Sequence, residues 1–357
     1  MLTLINKRVL CPSRLVPFAA AFVLPLAAAL AQTSLPDEMI RKNEISPSDR
    51  QQMKALIDAN KAGLSGTPSE IKKSREVLVA PLEKDGVSVQ FRVACASALL
   101  ESGGLAGLAA HKDNDLIATN ALRIAGQSAT GNTMRLVLDA LKDPRPQVRY
   151  AATVAARAAF TAARTNSALA PDELSRAMRA LSDTVVQDAA PQPVDGAIQA
   201  LVAARDVPNN RSTAIERLTD AAGRKALALA KGSDPFDLAP FLRASGPLQQ
   251  DIIEGDKLPV ETRRTIAVFA AQILIAVDAQ WRDGDPDAIT VQTAKAANSL
   301  LSLAMQQISR QSSPLALGDL VAPGKKQQFQ EALAKLVGPG GTLQSAPYSL
   351  PADKLKP

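Results

Sequence analysis

A Lys-Asp doublet recurs three times in the first half of this 357-residue chain, at Lys84-Asp85, Lys112-Asp113 and Lys142-Asp143. The steps are 28 and 30 residues, and each doublet closes one apolar stretch and precedes a turn and a second helical stretch. A unit this short cannot enclose a core of its own, so it must bury its apolar side against the next copy. Aligning the second stretches places Phe91, Ile117 and Val148 at equivalent positions. Downstream of Phe91 the face continues through Ala94, Cys95 and Ala98, and downstream of Val148 through Ala151, Ala152, Ala155 and Ala159. Small residues along one face let helix axes approach closely, which a tight stack of hairpins needs.

The rest of the chain reads as helix too. Alanine is abundant, apolar residues recur at three- and four-residue steps, and no alternating Val, Ile, Thr or aromatic run is long enough for a strand. Helix starts are marked by cap chemistry. Ser46-Pro47-Ser48-Asp49 offers a cap, a proline at the first helical position and an acid in the first turn. Thr67-Pro68-Ser69-Glu70 adds a full capping box, and Pro171-Asp172-Glu173 opens another helix. Breaks at 63–66, 103–104, 126–131, 144–146, 191–193, 207–210 and 232–235 leave helices of roughly 10–20 residues joined by short turns.

The expected fold class is all-α, an α-solenoid of antiparallel helical hairpins over residues 46–208 with a less regular helical region over 209–337. In that second region Ser212–Lys231, Pro259–Trp281, Asp287–Gln311 and Gly324–Val337 read as helices. The run Ile266–Val277 is apolar nearly all round and marks the buried helix of that half. Residues 32–45 lack periodicity and read as a flexible lead-in, and 338–357 carry Gly and Pro without apolar period and read as a disordered tail.

The stretch Leu141-Lys142-Asp143-Pro144-Arg145-Pro146-Gln147-Val148-Arg149-Tyr150-Ala151-Ala152 resembles the turn and second helix of a HEAT repeat, of the short bacterial type. The resemblance covers about residues 76–162, with a degenerate copy at 180–205. It implies that a turn Asp and a second-helix Arg pair with neighbouring repeats as a ladder. Asp143 and Arg149 match both positions, Asp85 and Arg92 match with one extra residue, and in the middle copy Asp113 is present while Ala118 stands near the Arg position. The steps are shorter than the 40–47 residues usual for HEAT units.

Lys7, Arg8 and Arg14 precede an uncharged apolar run from Leu15 to Ala31 that ends in Ala29-Leu30-Ala31. This is the pattern of a signal peptide over residues 1–31, cleaved after Ala31, with an uncleaved membrane anchor as the alternative. The expected location is periplasmic or secreted, with no stable membrane span after cleavage. No cysteine follows the cleavage point, so lipid attachment there is not expected. Removing 1–31 takes three of the 41 basic residues and none of the 35 acidic ones, which leaves a net charge of +3. A spread-out +3 is no footprint for nucleic acid. Cys11 leaves with the signal, and Cys95 alone cannot form an internal disulfide.

Chemistry is sparse. His111 is the single histidine, next to Lys112 at a helix end, and reads as a solvent-exposed residue of the last turn rather than an acid or base. Cys95 lies mid-helix where the sister repeat has alanine, which is the behaviour of a small hydrophobe. Asp283-Gly284-Asp285-Pro286-Asp287 begins like a calcium loop, but Ala288 and Ala294 stand where Gly and Glu are required, so Asp287 reads as the start of the next helix. Ser69-Glu70-Ile71-Lys72 spells S-x-x-K without its companion triplets. No nucleotide-binding, hydrolase or zinc-protease motif occurs. Asp143–Arg149 and Asp85–Arg92 read as structural ladder pairs or as an arginine row facing an acidic ligand. Trp281 and Tyr150 read as core or groove lining, or as partner anchors. No residue is assigned a catalytic, cofactor-binding or metal-binding role, and no cofactor is expected. The function expected is an exported, non-catalytic scaffold binding a protein or peptide partner. The alternatives are an enzyme accessory or lyase-like HEAT protein acting on a protein substrate, or a purely structural envelope component.

Overall fold

The cap signals mark where helices begin. Ser46 Oγ accepts the Asp49 N–H at 3.2 Å while Asp49 Oδ2 accepts the Ser46 N–H at 3.0 Å, a reciprocal box. Thr67 and Glu70 repeat the arrangement, and Glu173 accepts the Ala170 N–H at 2.8 Å. A computed structural model describes residues 34–232, 236–254, 258–282, 284–310 and 316–356. The expected signal peptide, residues 1–31, lies outside them.

Among the described residues the chain forms sixteen α-helices and no sheet. They are α1 (Asp37–Arg41), α2 (Pro47–Lys61), α3 (Pro68–Val79), α4 (Val89–Glu101), α5 (Leu105–Ala109), α6 (Asp115–Ser128), α7 (Gly131–Ala140) and α8 (Pro146–Ala163). Then follow α9 (Pro171–Gln187), α10 (Pro191–Ala204), α11 (Arg211–Lys231), α12 (Ala239–Ile253), α13 (Val260–Gln280), α14 (Ala288–Ser309), α15 (Leu317–Leu320) and α16 (Lys326–Val337). From α4 through α12 each helix packs on the helix two places along. One row runs α4, α6, α8, α10, α12, α14, and the other α5, α7, α9, α11, α13.

The aligned positions are structurally equivalent. Phe91, Ile117 and Val148 are each the third residue of their helix, and all three are buried. Ala151, Ala152, Ala155 and Ala159 line the buried side of α8, so α8 lies tightly between α6 and α10. The break expected over 126–131 falls at Ala129 and Thr130, and helix α6 runs through Gly126 to Ser128. A Cβ at 126 would stand 2.5 Å from the carbonyl oxygen and 2.6 Å from the Cα of Ala155. The side chain missing at Gly126 is what lets the backbones of α6 and α8 meet.

In the second half, α11, α13, α14 and α16 fall where helices were expected, and Ile266–Val277 is buried along its whole length. Helix α12 was not expected. Pro240 sits in its first turn, where no N–H is needed, and Pro247 is absorbed within the helix. Burial of Phe241, Leu248 and Ile252 offsets the lost hydrogen bond.

Both flanks differ from expectation. Within the 32–45 lead-in, α1 forms and Leu35, Met39, Ile40 and Ile45 are buried, while Ser88 donates its N–H to the Ile40 carbonyl at 3.0 Å. The expected disordered tail instead folds back from residue 338 to 356. Leu343, Tyr348, Leu350 and Leu355 are buried, and Gln272 Nε2 on α13 donates to the Lys354 carbonyl at 2.8 Å. These few apolar side chains have no helical period, so only the surface that receives them reveals their role. No helix among the described residues is long and apolar enough to cross a membrane.

Candidate interaction surface

The two expected Asp–Arg pairs do not form as side-chain pairs. Arg149 on α8 instead grips Asp188 in the turn between α9 and α10, with Nε to Oδ2 at 2.6 Å and Nη2 to Oδ1 at 2.8 Å. Its Nη1 donates to the backbone carbonyls of Asp143 and Pro144, both at 2.9 Å. The Asp143 carboxylate is taken by Arg145, through Nε at 2.9 Å and Nη2 at 2.8 Å. Arg145 in turn reaches back to Asp115 Oδ1 at 2.9 Å and the Lys112 carbonyl at 2.8 Å. On the far side Lys225 of α11 donates to the Asp188 carbonyl at 2.6 Å. The turns before α6, α8 and α10 are thereby tied in sequence to one another and to α11.

Asp143 and Asp188 play the same local part. Each lies three residues before the proline that opens the next helix and accepts the N–H two residues on, Arg145 and Ala190, at 2.9 Å. That spacing was visible in the sequence, and it could have identified Asp188 as the missing rung. The Arg145 hydrogen bonds hold Asp143 below the usual carboxylate range. At Asp188 burial pushes the pKa upward, but the Arg149 bonds, the Ala190 N–H and the nearby cations outweigh it and the net shift is down.

Arg92 behaves differently. It is 6% exposed, donates to the carbonyls of Gln127 (2.7 Å) and Leu82 (3.1 Å), and has no carboxylate partner. Asp85, its expected mate, is exposed and makes no side-chain bond.

Along the row α5, α7, α9 the surface opens into contiguous hollows. One of about 600 Å³ between α5 and α7 has a floor of Ala106, Ala109 and Ala140. It continues, across Asp139 and Lys142, into hollows of about 200 and 630 Å³ between α7 and α9, where Leu138 and Ala180 are shared. Arg135, Lys142 and Arg179 stand on this rim without ion-pair partners, beside the acids Asp139 and Asp183.

The other candidates take structural positions. His111 is half-buried rather than exposed, and its Nδ1 accepts the N–H groups of Asp113 (3.3 Å) and Asn114 (3.1 Å) to shape the turn before α6. Cys95 is buried on the packed face, where desolvation pushes its thiol up to about 12. Trp281 belongs to the core, packed against Phe329 with ring centroids 6.0 Å apart and its indole N–H on the Gly284 carbonyl. Tyr150 is 41% exposed. Asp287 caps α14 by accepting the Thr290 N–H at 2.7 Å, while Asp283 lies outside the described residues. Ser69 stands exposed in the first turn of α3. No group of three or more His, Cys, Asp or Glu side chains placed to hold a metal occurs among the described residues. No family model matches this chain, and no curated protein matches it either.

Proposed function

We propose that this protein is an exported, non-catalytic scaffold, a HEAT-like α-solenoid that binds a protein or peptide partner after removal of residues 1–31. The observation that carries the reading is the run of hollows along α5, α7 and α9, apolar at the floor and rimmed by unpaired Arg135, Lys142 and Arg179. Such a strip offers apolar burial for side chains of an extended segment and charge at its edge to set register. The two helix rows and the turn-to-turn ladder support the repeat reading, since each helix pair leans on its neighbours.

Crosslinking and capture from an envelope extract test it, with the Arg135→Glu/Arg179→Glu variant as control. Both residues are exposed, so the variant should fold. The expected result is a stoichiometric partner held by the unmodified protein and lost from the variant. Turnover of a substrate that a single polar-to-alanine change abolishes would overturn the scaffold reading. The mass of the exported form, expected to begin at Gln32, tests the location.

A further inference from the structure

At the far end of α8 from the turn ladder lies the largest of the hollows described, about 840 Å³. It is bounded by the loop 82–87, the end of α6 and residues 154–166. Arg92 forms its floor. The two carbonyls this guanidinium reaches, those of Leu82 and Gln127, belong to residues that line the same hollow. More than nine-tenths of Arg92 is buried, its Nε has no acceptor, and no carboxylate neutralises it. Burial drives its pKa down, the sign of a charge that the fold leaves uncompensated. Buried charges in proteins are ordinarily paired.

The walls lean the same way. Arg157 and Arg164 line the hollow from α8 and the segment after it, with the Thr165 hydroxyl beside them, while the Thr161 hydroxyl is donated to the Arg157 carbonyl at 3.0 Å. Arg157 is bonded to the neutral amide of Gln199, and Arg164 stands a loose 3.8 Å from Asp206. Two acids share the lining. Glu83 accepts from Gln127 Nε2 at 3.1 Å, and Asp85 is exposed at the rim. Lys84 is spent on Asp37. With Lys84 set aside, the lining cations Arg92, Arg157 and Arg164 exceed the carboxylates Glu83 and Asp85 by one, and the most deeply buried of these charges is a cation.

We propose that this hollow is an oxyanion-binding site, with Arg92 at its base and Arg157 and Arg164 on its wall. Guanidinium groups present paired N–H donors that match phosphate and carboxylate oxygens, which would supply the countercharge Arg92 lacks. The same chemistry arrives from two sources, free phosphate or the side-chain carboxylate of an acidic peptide. The phosphate source requires no protein partner, so this site and the scaffold reading can fail separately.

The test is calorimetric titration of the full mature chain with inorganic phosphate, and in a second arm with a short acetylated peptide containing Glu, at constant ionic strength balanced by chloride. The expected result is saturable one-to-one binding in at least one arm and a rise in melting temperature on saturation. Arg157→Ala, at an exposed position, should keep the fold and weaken that binding about tenfold or more. Arg92→Met should abolish it. If Arg92→Met does not fold, Arg157→Ala decides alone. Phosphate binding with no peptide binding assigns the site to a small anion, and a peptide that competes with phosphate assigns it to the carboxylate source. Absence of saturable binding in both arms, or binding that Arg157→Ala leaves unchanged, would overturn the proposal.

Discussion

Replacing Asp188 by alanine should loosen the middle of the stack more than any exposed charge change. The side chain is 4% exposed, and three bonds disappear with it: two to Arg149 at 2.6 and 2.8 Å, and the Ala190 N–H at 2.9 Å. Breaking a buried ion pair from one side costs about 3–5 kcal/mol. The low end applies here, because Arg149 is 17% exposed and keeps the carbonyls of Asp143 and Pro144. About 3 kcal/mol corresponds to roughly a hundredfold faster amide exchange wherever opening limits it. Hydrogen exchange is the right assay, since it reads the opening of each helix separately, where a single melting temperature would blur the effect. Protection should fall most in α8, α9 and α10. In a double-mutant cycle with Arg149→Ala, the two losses should not add.

The pH dependence supplies a second check on Asp188. Its folded pKa lies below the unfolded value, so its contribution is complete above about pH 4 and is lost as pH falls through the folded value. The difference between Asp188→Ala and the unmodified chain should therefore be constant from about pH 5 to 8 and close below about pH 4. Additive losses in the cycle, or a gap that persists in acid, would refute the claim that this pair carries load between the turns.

Three further outcomes follow. Ala152→Asp places an unpaired carboxylate on a fully buried face between α6 and α10, and circular dichroism should show loss of cooperative helical structure at ambient temperature. Cys95 should react with a thiol reagent only as fast as the chain opens, because burial and a pKa near 12 leave almost no thiolate at neutral pH; rapid labelling of the folded protein would contradict its packed position. Ending the chain at Val337 removes buried Leu343, Tyr348, Leu350 and Leu355, each contributing about 1.5–3 kcal/mol if aliphatic, so α13 and α16 should lose exchange protection.

Much of the helical class was legible because its signals are local. Ser46 with Asp49 and Thr67 with Glu70 complete their caps within four residues, and Phe91, Ile117 and Val148 show their common place by spacing alone. The tail and lead-in were not legible. Their apolar residues follow no period, and burial depends on faces that other helices supply. Helix α12 went unread, and the cost of its prolines is settled by position and packing rather than by identity.

The sequence by itself determined where helices begin and which of their sides turn inward, since both are set by neighbours within a few residues. Tertiary structure alone decided that Arg149 meets Asp188, 39 residues on, while Arg92 meets only carbonyls. It also decided that Gly126 is a contact point between α6 and α8 and not a break. A long side chain takes whichever partner the stacking of separate helix pairs brings within reach, and that stacking is fixed by how whole faces fit together.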